Sequence, residues 1–181
     1  MKRRAYIGLG ANQGDLQGTV SAAVDAIKSL ERTQLVLVSP LYRSSPIDAE
    51  GPDFINAVAA VDTELEPYGL LLHLLDIEMM LGRKRRGGAS GEKKRARKVD
   101  LDLLLVGDLI MRSTPLTLPH PRLHDRAFVL RPLLDIAPEI VLPGLGAAAI
   151  YLPRVATQRI APFAADGANG ALAAQDLSPA P

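Results

Sequence analysis

Lys98-Val99-Asp100-Leu101-Asp102-Leu103-Leu104-Leu105-Val106 is the stretch on which the reading of this chain turns. Polar and apolar residues alternate, then give way to an apolar run, as in a strand that becomes buried along its length. Asp100 and Asp102 are two apart, so a strand turns both carboxylates to one face. Like charges roughly 7 Å apart repel, and burial strengthens the repulsion. Such a pair persists where water solvates it or where cations stand against it. A half-exposed strand with its acids in water is one reading. Divalent metal, or the basic segment just upstream, is the other.

That segment carries Arg83, Lys84, Arg85, Arg86, Lys93, Lys94, Arg95, Arg97 and Lys98 against a single Glu92, with Gly87-Gly88-Ala89-Ser90-Gly91 in its middle. The composition predicts a flexible basic loop. It reads as a solvated tether, a nucleic-acid arm or a polyphosphate clamp. It contains no aromatic residue, which counts against stacking on single-stranded nucleic acid. Cations beside paired carboxylates suit metal-bound polyphosphate, whose oxygens accept guanidinium and Mg2+ together.

Composition narrows the class. A chain of 181 residues with 48% apolar content is one domain with a sizeable core. A net charge of +1 gives no global field toward nucleic acid or membrane. The absence of cysteine excludes disulfides and thiolate metal sites. The apolar stretch after Met1-Lys2-Arg3-Arg4 is too short for a signal peptide, and no run reaches membrane-spanning length. A soluble, cytoplasmic protein is expected.

Outward from the acidic strand, the chain alternates between the two periodicities. Ala5 to Gly10 reads as a strand. Asp15 stands as a cap before Leu16, Val20, Val24, Ile27 and Leu30, whose spacing predicts a helix over 15–31. Residues 34–41 and 54–61 read as strands, with 42–53 between them as a long polar loop punctuated by proline and glycine. Pro67 opens a second helix that Gly82 ends, with His73 expected in its core or boundary. Gly107-Asp108 predicts a turn, with 109–111 pairing back as a short strand. A rigidly held His120 follows between Pro119 and Pro121, then an apolar helix over 129–136. Strand, helix, strand, strand, helix, strand predicts a ferredoxin-like α+β sandwich with helices on one face and additional C-terminal elements. The basic loop and the 42–53 loop would lie near the open face and could close over a ligand. Residues 146–181 read as an Ala/Gly/Pro-rich extension, disordered from about 164.

Several segments, in order, carry a resemblance: Ala5-Tyr6-Ile7-Gly8-Leu9-Gly10-Ala11-Asn12, Tyr42-Arg43-Ser44-Ser45-Pro46, Pro52-Asp53-Phe54-Ile55-Asn56-Ala57, Ile77-Glu78 with Gly82-Arg83, Val99 to Leu105, and Leu118-Pro119-His120-Pro121-Arg122-Leu123-His124-Asp125-Arg126-Ala127-Phe128. Together they cover roughly residues 5–143, and the chain resembles the 6-hydroxymethyl-7,8-dihydropterin pyrophosphokinase family of folate biosynthesis. The resemblance implies transfer of diphosphate from ATP to the pterin hydroxymethyl group, with release of AMP, by a pyrophosphokinase domain over 1–145. It implies that Asp100 and Asp102 hold two Mg2+ ions, and that Arg83 and Arg97 serve catalysis beside them. Glu78, Arg85, Arg97, Leu103, Thr117, His120 and Arg126 would meet ATP. Phe54 and Phe128 would sandwich the pterin, Asn56 would bond its edge, and backbone near Ser44 and Ile47 would complete the pocket. Many relatives place an aromatic residue and a Gly-Pro-Arg-Thr stretch before the paired aspartates, where this chain has Lys94-Arg95-Ala96-Arg97-Lys98. A monomer without nucleic-acid or membrane partners is expected. The competing class is an RNA-binding module on the same scaffold, which would need aromatics on an open sheet face.

Overall fold

The computed structural model describes residues 1–47, 51–82 and 99–164. Strand β1 (Arg3–Ala11) lies at the middle of the sheet. Its alternate residues Ala5, Ile7, Leu9 and Ala11 are buried on one side, and Gly8 and Gly10 face the other. Antiparallel β4 (Phe54–Thr63) flanks it from Arg3↔Thr63 to Ala11↔Ile55. Antiparallel β5 (Asp100–Val106) flanks its other side. Two strands share the outer edge of β4: β2 (Thr33–Val38) pairs along its C-terminal half and β3 (Tyr42–Ser44) along its N-terminal end. The order β5-β1-β4-β2, with helical crossovers, is the ferredoxin-like arrangement expected.

Helix α1 (Leu16–Lys28) starts where the Asp15 side chain accepts the Gly18 N–H at 2.9 Å. A Cβ at residue 18 would meet that carboxylate, which would have to turn aside to make room. Val20, Ala23, Val24 and Ile27 point inward at helical spacing. Helix α2 (Pro67–Met80) has proline at its first turn and turns Leu70, Leu74 and Ile77 inward. Both helices cover the face bearing Ile7, Leu9, Ile55, Ala57, Leu101 and Leu103.

The opposite face is only partly open. Helix α3 (Ala127–Ile136) lays Ala127, Leu130 and Leu133 over Val58 and Leu104. A 3-10 segment, Ala148–Val155, adds Ala148, Tyr151 and Val155 to that second core. Beyond it, β10 (Ile160–Pro162) pairs with β3 and extends the sheet to six strands. Two small hairpins complete the chain: β6 (Met111–Arg112) with β7 (Thr117–Leu118), and β8 (Val141–Leu142) with β9 (Gly146–Ala147).

Four local expectations are corrected. Tyr42–Ser44 is strand rather than loop, because register with Phe54–Asn56 satisfies its backbone. The 109–111 segment does not pair back on β5; Met111 pairs forward with Leu118. His73 is exposed, since α2 turns Leu70, Leu74 and Ile77 inward instead. The second sheet face carries helices of its own, made by residues that reach it from far along the chain. Residues 146–164, read as extension, contribute buried side chains and a strand; 165–181 lie outside the described residues.

Candidate active site

The site is built on the sheet face that α1 and α2 do not cover. Leu101 and Leu103 lie in the core beneath those helices, so Asp100 and Asp102 project to the opposite side of β5. The same alternation brings Phe54 and Asn56 of β4 to that side, and Gly8 and Gly10 of β1 between them. Register makes this a row: Asn56 pairs with Gly10, and Gly10 pairs with Asp100. Two inter-strand steps put the amide and the carboxylate roughly 10 Å apart. A Cβ at residue 10 would stand 3.4 Å from Asn56 Oδ1 and 4.0 Å from the Phe54 ring, so glycine keeps the floor between them low.

Each end of the row has its own chemistry. At one end Asn56, 3% exposed, donates from Nδ2 to Ser44 Oγ at 2.9 Å, so its amide is held by β3. Ser44, Ile47 and Phe128 line a cavity of about 160 Å3 together with Ser45, Pro46, Ala127, Gln158, Arg159 and Ile160. Phe128 in that lining is half-buried, and half-buried Phe54 stands beside Gly10 and Asn56 on the strand face. At the other end, Arg126 Nη1 stands 3.7 Å from Asp102 Oδ2, and its guanidinium lies over the Phe128 ring at 5.4 Å. Burial, then Arg122, lowers the Arg126 pKa, and Asp102 and Asp100 oppose the shift. Arginine remains a cation throughout such shifts.

His120 is tied to β5 by its own N–H, which donates to Leu104 O at 2.9 Å. Its Nδ1 accepts the Arg122 N–H at 3.2 Å. Burial lowers its pKa, with Asp102 acting to raise it and Arg126 and Arg122 to lower it further. A neutral imidazole with Nδ1 so engaged carries its proton on Nε2, ready to donate to an anion's oxygen. Thr117 is half-buried on β7 nearby in the chain.

Two of the residues named for ATP are buried. Glu78 is 1% exposed on α2, and its Oε1 accepts the Leu101 N–H at 2.7 Å. It therefore sits at the open edge of β5, the last strand of the sheet, where it holds the backbone between the two aspartates. The Leu103 side chain is in the core, so only its backbone reaches the site face. Arg83, Arg85 and Arg97, with the rest of the basic segment, lie outside the described residues.

Sequence reasoning missed the contribution of Gln158, Arg159 and Ile160. They stand in a stretch whose composition suggests no structure. The short run from Gln158 to Phe163, with apolar residues at intervals, was the one available signal.

Among the described residues no group of three or more His, Cys, Asp or Glu gathers into a metal site. The paired aspartates are all-oxygen donors on one strand face, which suits a hard cation that keeps water and phosphate in its remaining positions. No helix among the described residues is long and apolar enough to cross a membrane.

Comparison with known proteins bears on the same residues. A family model described as 7,8-dihydro-6-hydroxymethylpterin-pyrophosphokinase matches residues 6–138. The chain is similar to the 2-amino-4-hydroxy-6-hydroxymethyldihydropteridine pyrophosphokinase of Pseudomonas aeruginosa, 44% identical over 146 residues, covering 79% of this chain and 86% of that protein. The protein of the same name from Haemophilus influenzae is 43% identical over 142 residues, covering 77% and 84%. In structure, the chain is similar to the Plasmodium falciparum HPPK-DHPS protein crystallised with pteroate, with a TM-score of 0.67 at 13% identity. The match covers 85% of this chain and 44% of that one, and at this identity it speaks for the fold alone.

Proposed function

The chain belongs to the 7,8-dihydro-6-hydroxymethylpterin-pyrophosphokinase family, and from that premise we propose that it transfers diphosphate from ATP to 6-hydroxymethyl-7,8-dihydropterin at the β4–β1–β5 face. The observation that carries this reading is the row Asn56–Gly10–Asp100. It sets a buried amide flanked by aromatic rings against a pair of carboxylates, with a low glycine floor between.

The pterin lies between Phe54 and Phe128, its polar edge on the Asn56 amide and its rim against Ser44 and Ile47. Asp100 and Asp102 would hold the two Mg2+ ions, which when bound neutralise phosphate charge and make the β-phosphorus more open to attack. Arg126 adds a fixed cation beside Asp102, and His120 adds a donor from Nε2. Both act on the triphosphate, with Arg83, Arg85 and Arg97 supplied from the basic segment. The hydroxymethyl oxygen forms its bond to the β-phosphorus as the bridge to the α-phosphate breaks. AMP leaves with the bridging oxygen, and the hydroxyl proton passes to solvent. Positioning and charge complementarity supply most of the rate, because the protein contributes no covalent step. Glu78 serves this reaction from the edge of β5, by fixing the Leu101 amide and so the spacing of the two aspartates. The reaction proceeds in the cytoplasm, where ATP is plentiful, on a monomer.

An RNA-binding module is disfavoured on a physical ground. The sheet face it would need is occupied by α3 and the 148–155 segment over Val58 and Leu104, and the face that remains presents paired carboxylates to a phosphate backbone. The test is AMP release measured with Mg2+, ATP and the hydroxymethyl dihydropterin, each omitted in turn. AMP should appear only when all three are present; no AMP, or AMP independent of the pterin, would overturn the assignment. RNA titrated at physiological salt should not bind.

A further inference from the structure

We propose that Gln158 is a positioning residue for the reaction: its side-chain amide clamps the backbone on both sides of Arg126 and thereby aims the guanidinium and the Phe128 ring. The inference rests on the pyrophosphokinase reading above.

Gln158 Oε1 accepts the Ala127 N–H at 2.7 Å, and Nε2 donates to Asp125 O at 2.7 Å. Arg126 between them is extended, with φ −124° and ψ 114°. In an extended residue the preceding carbonyl and the following N–H point the same way. A primary amide offers a donor and an acceptor side by side, so it meets both groups as a neighbouring strand would.

The clamp answers a need of the helix start. Ala127 is the first residue of α3, where N–H groups have no partner within the helix, and it is 1% exposed. A side-chain cap at Arg126 would reach the second or third N–H of the helix rather than this first one, and Arg126 makes no such bond. Its guanidinium is turned to Asp102 and Phe128 instead. An unsatisfied buried N–H is costly, and a residue 31 positions away supplies the acceptor.

Gln158 is itself held in place. Its N–H donates to Val155 O at 3.0 Å, the adjoining β10 pairs Ile160 with Ser44, and Phe163 N–H donates to Leu41 O at 2.8 Å. One segment thus fixes Ser44 on one wall of the cavity and Phe128 on the other.

The experiment compares the wild type with Gln158→Leu, Gln158→Glu and Ile27→Ala, by Tm and by kcat and KM for both substrates. Leucine keeps the bulk and removes both bonds. Glutamate keeps the acceptor and loses the donor. Ile27→Ala opens a cavity under α1, in the core on the other face of the sheet, and leaves the clamp and its segment alone. Misplacing the guanidinium and ring should lower kcat in Gln158→Leu about 10- to 100-fold, with a rise in pterin KM. Gln158→Glu should fall between it and wild type. Ile27→Ala should lose Tm but little activity. An active wild type with an unchanged Gln158→Leu overturns the role alone, as does an equal loss of activity in Ile27→Ala. Should Gln158→Leu not fold, Gln158→Glu decides, and wild-type kcat and KM there overturn the clamp. A wild type that releases no AMP overturns the activity itself and this role with it.

Discussion

Asp102 and Phe128 mark the two kinds of work that single residues do here. Asp102 lies beside Arg126 on a face that would otherwise hold two like charges side by side. Asp102→Ala should therefore cut AMP release by at least about 100-fold, as loss of a transition-state contact does, while Tm stays near wild type because a repulsion is relieved. A variant with wild-type turnover in a coupled AMP assay would contradict the metal assignment. Phe128→Ala removes one ring of the proposed pterin sandwich and the surface beneath Arg126. It should raise the pterin KM about tenfold, the size of one stacking contact, with a smaller effect on the KM for ATP. The paired aspartates were legible because a period of two is visible in any strand. The burial of Glu78 was not legible, for an equally physical reason. Helix α2 is apolar nearly all round, with Leu72 62% exposed and Met79 43% exposed, so periodicity could not separate its inward face from its outward one.

At the scale of elements, the short strand β3 is held from two directions. It pairs with β4 on one side and β10 on the other. The Tyr42 hydroxyl donates to Asp135 Oδ2 on α3 at 2.6 Å. Burial, then the Asp135 carboxylate, pushes the Tyr42 pKa up to about 12 from its usual 10. A raised pKa means the folded state holds the proton more tightly than the unfolded one. The link is thus fully present below pH 10 and is lost as pH rises through about 12. Thermal melts of the wild type should lose stability across that window more steeply than those of Tyr42→Phe. Parallel curves would show that the link contributes nothing. Strand β3 itself was not legible, because three residues carry no period and only register with Phe54–Asn56 makes them a strand. Helix α1 was legible at its start and on its buried face, since a cap and an i, i+3, i+4 pattern are local signals.

For the whole molecule, two cores share one sheet, and the second depends on residues distant in sequence. Tyr151, Val155 and Ala148 close the core that seats α3, and through α3 they support Arg126 and Phe128. Ending the chain after Leu145 should lower Tm by about 10 °C or more, since several buried side chains go at once. A truncated chain with wild-type Tm and turnover would show the domain complete without them. A ferredoxin-like order could be read from the alternation of strand and helix patterns alone. The occupation of its second face could not, because an Ala/Gly/Pro-rich stretch gives no local sign of docking on a sheet more than 40 residues back in the chain.

The central claim is that one sheet face holds a pterin at Asn56 and metal-bound triphosphate at Asp100 and Asp102. The most direct measurement is AMP formation from ATP by wild type and by the double variant Asp100→Ala, Asp102→Ala, with and without Mg2+ and 6-hydroxymethyl-7,8-dihydropterin. The account predicts AMP from the wild type only when both are present, and none from the double variant at an unchanged Tm. AMP produced by the folded double variant at the wild-type rate would contradict it.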